Sequence, residues 1–153
     1  MTWGIGRSDV QLLLADKDIE RIDGDAANGA FLLDAARLRL ESARTLQTSD
    51  PVSSFEIAYE GVRHAATALL TQQGLRPTSN GGHRAICRVV VAQFGPGFDF
   101  FNRMRQIRNT VEYQRGPGAL EIQAAVVDEA MRYLGEIIDR SERLLPELPM
   151  WRI

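Results

Sequence analysis

The stretch from Asp50 to Gly74 constrains the fold more than any other part of this sequence. Asp50 offers a carboxylate to the free N–H groups of a helix start, and Pro51 suits the first helical position because its φ is already helical and its missing N–H is not needed there. Phe55, Ala58, Tyr59, Val62, Ala65, Ala66, Leu69 and Leu70 then recur at spacings of three and four without a break, the period of one helical face. Gly74 supplies a stop. An apolar face this long has to be covered by other helices.

The rest of the chain supplies candidates for that cover. Ala30 to Thr48 has neither Gly nor Pro and reads as the first long helix, with Phe31, Ala35, Leu38, Ser42 and Leu46 on one face. His83 to Phe94 reads as a shorter helix carrying Ile86, Val89 and Val90, closed by Gly95-Pro96-Gly97. Phe98 to Arg115 follows and is broken by Gly116-Pro117-Gly118. The last helix, Leu120 to about Leu145, places Ile122, Val126, Tyr133, Ile137, Ser141 and Leu144 on one face before Pro146 and Pro149. Near the N-terminus Ser8 can cap a short helix with Val10, Leu13 and Leu14 as its apolar positions. Asp16 to Gly29 reads as a loop or broken helix, Leu75 to Gly82 as a connection, and no segment has the two-residue period of a strand. The expected fold is all-α: one domain over residues 1–153, an antiparallel up-and-down bundle of four to five helices with a short N-terminal extension over about residues 1–25.

Charge and composition limit what such a domain can do. With 18 basic and 20 acidic residues the formal charge is −2, so contact with nucleic acid would need a local patch rather than an overall field. Arg103, Arg105, Arg108 and Arg115, set against Asp99 and Glu112, can form one. Lys17 is the only lysine; the other 17 basic residues are arginines, whose planar guanidinium grips phosphate or carboxylate in two places. Cys87 stands alone, which excludes an intrachain disulfide and a cysteine zinc site. His64 and His83 are the only histidines and lack zinc-site spacing, so neither a metal nor a cofactor is expected. The absence of a signal-like N-terminus and of any apolar run of about 20 residues points to a cytoplasmic protein without a membrane span.

Phe98 to Arg115 carries two stripes on one helix. Phe100, Met104, Ile107 and Val111 form an apolar row, and Arg105, Arg108 and Glu112 form a polar row beside it, at the rim of a core. The polar row has two readings: a closed Arg–Glu network that orients helices, within one chain or across a dimer seam, or a site that holds a ligand. Tyr113 can dock its ring in the core or present its hydroxyl to a partner. His83 begins a helix, whose dipole favours the neutral imidazole, and it can face the same cleft.

A family resemblance rests on this stretch. Arg108-Asn109-Thr110-Val111-Glu112-Tyr113 resembles the Arg-Asn/Asp-x-x-x-His signature of the HEPN superfamily (higher eukaryotes and prokaryotes nucleotide-binding domains), with Tyr113 standing where that signature has histidine. The longer string Arg105-x-x-Arg108-x-x-Val111-Glu112-Tyr113 is similar to an Arg-x-x-Arg-x-x-Ala-Asp/Glu-Tyr variant of small prokaryotic branches. Tyr59 to Ala66 resembles the alanine-rich second helix of that group, and His83-x-x-Ile86 with Phe94 resembles its third, so the resemblance spans roughly Ala30 to Leu145. It implies a helical bundle that pairs as a homodimer across the motif helices, with Arg105, Arg108, His83 and Glu112 as ligand- or phosphate-binding residues and Arg108, Asn109 and Tyr113 as catalytic candidates. The implied function is that of one component of a prokaryotic toxin–antitoxin or defence module, which binds a nucleotidyltransferase partner, RNA or a nucleotide and offers Tyr113 as an acceptor for modification. Two alternatives stand beside it: a metal-independent ribonuclease toxin using Arg108, Asn109 and His83, and a structural dimeric adaptor. An ordinary phenol titrates near 10, so Tyr113 does not inherit a histidine's proton transfer unchanged.

Overall fold

Helix α3 (Pro51–Gln72) is buried along nearly its whole circumference and forms the axis of the molecule. The computed structural model describes residues 3–113 and 121–152, without the side chains of Glu112 and Tyr113. Among these residues the other helices are α1 (Arg7–Ala15), α2 (Ala30–Leu46), α4 (Gly82–Phe94), α5 (Asp99–Tyr113) and α6 (Ala124–Leu144). Helices α2 and α6 pack on α3 and on each other, α4 and α5 pack on α3 and on each other, and α1 lies on α4. The chain is thus predominantly helical, a bundle built round one central helix.

The expected start of α3 is realised. Asp50 accepts hydrogen bonds from the Ser53 N–H at 3.1 Å and the Ser53 hydroxyl at 2.6 Å, with Pro51 in the first turn. All eight apolar positions read from the sequence are buried, and so are Ser54, Gly61, Ala68 and Thr71 on the helix's other sides. Small residues make this possible. A Cβ at Gly61 would come within 2.7 Å of a Leu134 methyl, so the missing side chain is what lets α6 sit down on α3. Gly74 ends the segment at φ +73°, a conformation that costs a residue with a side chain about 1 kcal/mol or more.

Four expectations are corrected. In α2 the buried residues are Leu33, Ala36 and Ala43, whereas Phe31 and Leu38 are 63% and 55% exposed. Two interleaved apolar rows satisfy the helical period there, and packing against α3 and α6 selects the one not chosen from sequence. In α5 the buried row is Phe101, Met104 and Val111, with Phe100 half-buried at its side. Phe101 meets Tyr59 at 5.8 Å between ring centroids and Phe100 meets Tyr133 edge-on at 4.9 Å, so the apolar side of α5 is wide enough to touch both α3 and α6. Helix α1 starts after Gly6 with no side-chain cap, and Ser8 lies inside it. Lastly, a small sheet exists: β1 (Ile19–Arg21) pairs antiparallel with β2 (Leu75–Pro77), Ile19 opposite Pro77. Three residues are too few for a two-residue period to show; the strands are held by burial of Ile19 and Leu75 and by an Arg76–Glu20 ion pair at 2.6 Å.

Both ends of the chain join the core. Val10, Leu13, Leu148 and Trp151 are buried in the same apolar cluster as α3. The Trp151 N–H donates to the Gln73 carbonyl at 2.8 Å, closing the C-terminal segment over the end of α3. Beneath it the buried side chains of Gln73 and Gln93 donate to each other reciprocally, at 2.7 and 3.0 Å, so both amides are satisfied without water. Helix α6 begins at Ala124; the expected break at Gly116-Pro117-Gly118 and the residues Arg115 and Leu120 lie outside the described residues. No described helix is long and apolar enough to cross a membrane.

Candidate functional site

The residues singled out in α5 meet the start of α4 and the middle of α3. The turn before α4 is fixed from two sides: the Thr78 hydroxyl donates to the Lys17 carbonyl at 2.7 Å and accepts the Gly81 N–H at 3.2 Å, and the Asn80 amide donates to the Asp18 carboxylate at 2.7 Å. This places His83, the second residue of α4, over Tyr59 of α3, with Nδ1 2.6 Å from the phenol oxygen and ring centroids 5.6 Å apart. The Arg108 guanidinium carbon lies 5.4 Å from the centre of the same tyrosine ring, a cation–π approach that ties α5 to α3. Arg108 stands in line with Phe101, Met104 and Val111, so it occupies a seam position rather than a free outer face.

Charge around Tyr59 and His83 is supplied by both helices. Glu60, next to Tyr59, is gripped by Arg63 through Nε at 3.1 Å and Nη2 at 2.5 Å. Burial pushes the His83 pKa down, Arg63, Arg108 and Arg105 push the same way, and Glu60 opposes them, so the ring is held below the ordinary histidine value. Burial likewise raises the Tyr59 phenol above its usual range, which keeps its proton in place. Cys87, one turn beyond His83, is pushed up to about 11 by burial despite the nearby Arg105, and is therefore a neutral thiol. Burial by itself would raise the Glu60 carboxyl, but its contacts with Arg63 prevail and hold it low.

Arg105 and Arg108 look into different hollows. A groove of about 860 Å³ runs between α1, α4 and α5, lined by Arg84, Arg88 and Arg105 together with Asp9 and Asp99. Arg88 is paired with Asp9 at 3.1 Å, and Arg105 is steadied by Asn102 at 3.1 Å. On the other side of α5 a smaller hollow of about 290 Å³ is bordered by Arg39, Glu56, Glu60 and Arg108. The single arginine row read from the sequence is therefore split between two hollows. The structure brings His83 and Arg108 onto Tyr59, while Arg105 lines the groove beside α4. Asn109 is half-buried, and Asn102 is the asparagine that supports Arg105. The side chains of Glu112 and Tyr113 lie outside the described residues, and with them the expected Arg–Glu pairings and the tyrosine's role.

Sequence reasoning missed Tyr59 and Glu60 as parts of the site; Arg63, with Arg103, can be read from the sequence as widening a basic groove, and the structure pairs it with Glu60. Tyr59 fits the apolar repeat of α3 and reads as core, which it also is; its hydroxyl's meeting with His83 depends on a pairing 24 positions apart that periodicity does not carry. Among the described residues no cluster of His, Cys, Asp and Glu is grouped to hold a metal ion. Comparison with family models, with curated proteins and with solved structures gives no significant match.

Proposed function

We propose that this protein binds RNA or a nucleotide by its phosphate groups, using Arg105, Arg108 and His83, as an HEPN-like homodimeric component of a two-component module with a nucleotidyltransferase. The observation that supports the reading is the meeting on buried Tyr59 of His83 from α4 and Arg108 from α5, with Arg105 on the wall of the neighbouring groove. Guanidinium groups suit phosphate because they donate two parallel hydrogen bonds with a full charge. A molecule of net charge −2 has no long-range attraction for nucleic acid, so binding has to come from a local cluster such as this one. Arg84, in the same groove as Arg105, adds a further guanidinium to which a strand can be held.

The test is direct binding of a short single-stranded RNA and of mononucleotides to the purified chain, alongside its Arg105→Ala and Arg108→Ala variants. A charged hydrogen bond contributes about 1.5–3 kcal/mol, so each substitution should weaken binding roughly tenfold or more. Wild-type affinity retained by both variants, or no binding by the wild type, would remove this reading. RNA incubated with the protein in chelator, followed by product analysis, separates binding from cleavage: intact RNA in a stable complex is the expected result.

A further inference from the structure

His83 has two ring nitrogens, and the fold has already committed one of them. Nδ1 faces the hydroxyl of Tyr59 at 2.6 Å, and Tyr59 is fully buried. Either partner can carry the shared hydrogen. If Nδ1 carried the hydrogen, the Tyr59 O–H would be left inside the core, and no other acceptor for it is found among the described residues. A buried donor without an acceptor costs more than an ordinary hydrogen bond returns. Imidazole nitrogen is also the stronger base of the two and phenol the stronger acid, so O–H···N is the favoured arrangement.

We infer that Tyr59 is a positioning residue that fixes His83 as the neutral Nε2–H tautomer, making the other ring nitrogen a hydrogen-bond donor for a phosphate oxygen beside Arg108. This rests on the phosphate-binding reading above and adds to it the role of each nitrogen. The groups facing the ring agree with it. From α3 come Tyr59, Glu60 and Arg63, and from α5 Arg105 and Arg108. Glu60, the one carboxylate in this set, is engaged by Arg63 and leaves Nδ1 to the phenol. Protonating Nδ1 would break the bond to Tyr59 and add a charge beside three arginines, in keeping with the lowered pKa. With its hydrogen on Nε2, the resting ring cannot take a proton from a ribose hydroxyl by that nitrogen. The cluster is thereby arranged to hold a phosphodiester rather than to cut it.

Two-bond proton–nitrogen correlation NMR on the labelled full chain reads the tautomer directly, and His64→Gln assigns the only other histidine. The wild type should show a bare Nδ1 and a protonated Nε2 for His83 at pH 7. Tyr59→Phe should give mixed tautomers and raise the pH at which the ring titrates. A protonated Nδ1 in the wild type overturns the inference, and because that spectrum needs no variant, a Tyr59→Phe chain that fails to fold does not weaken the test. Binding of a short single-stranded RNA supplies the second readout. His83→Gln, which sets its amide where Nε2 stood, should retain roughly fivefold more affinity than His83→Asn, the worth of one hydrogen bond. Equal loss in both overturns the donor role. The expected tautomer with no RNA binding by the wild type would uphold the positioning by Tyr59 and remove the phosphate-binding reading instead.

Discussion

Two histidines set how the molecule responds to acid. His64 is held below its ordinary value of 6.5 by burial, with Arg63 and Arg39 acting the same way and Glu60 opposing; His83 is held low by burial and the arginines around it. A group with a depressed folded value binds fewer protons folded than unfolded, so its stabilising contribution is complete above the unfolded value and is lost as pH falls through the folded one. Glu60 follows the same rule from its ordinary value of 4.5. Denaturant midpoints should therefore be level from pH 8 to about 6.5, decline below that, and decline more steeply below about 4.5. Replacing both histidines with glutamine should flatten the first decline and leave the second. A profile unchanged by the double substitution would show that neither ring is held as described. Of this cluster, Arg105, Arg108 and His83 were legible in the sequence, because helical spacing and a helix start mark them. Tyr59 was legible only as core: a residue that serves the core with its ring and the site with its hydroxyl gives a single signal, and the apolar one prevails.

At the scale of the element, legibility followed burial geometry. Helix α3 is read correctly because it is enclosed, so that any apolar row along it is a buried row. Helix α2 is covered on one side only, and two rows compete. The structure predicts that Phe31→Glu and Leu38→Glu, on exposed positions, change stability by no more than about 0.5 kcal/mol, whereas Leu33→Ala in the buried row costs about 2–5 kcal/mol. Equilibrium unfolding of the three variants decides between the rows, and the reverse ranking would restore the face chosen from the sequence. In α5 the difficulty was of another kind. Arg108 sits in the seam with its guanidinium over the Tyr59 ring, and a charged residue in an apolar row disguises the row's true register.

For the whole molecule, the docking of the C-terminal segment and the sheet are the parts that sequence patterns left out, whereas the short N-terminal helix was legible from Val10 and Leu13. Helix α1 buries Val10 and Leu13 against the rest of the core, and burying each such side chain is worth about 1.5–3 kcal/mol. Removing residues 1–15 should lower the thermal midpoint and loosen α4, on which α1 lies, and so disturb His83; a truncated chain with unchanged melting would show that the N-terminal helix is dispensable. Long-range pairings of this sort, like that of Ile19 with Pro77 or Trp151 with Gln73, leave no local period to read. The proposed phosphate-binding role of the α5 arginines involves the whole molecule, because α3 and α4 hold the groups beside them. Titration of a fluorescent single-stranded RNA at rising salt, comparing wild type with Arg108→Ala, tests it most directly. Wild-type binding should weaken with salt, and Arg108→Ala should bind roughly tenfold or more weakly with a shallower salt dependence, as expected when one phosphate contact is lost. Identical affinity and identical salt slopes for the two proteins would contradict it.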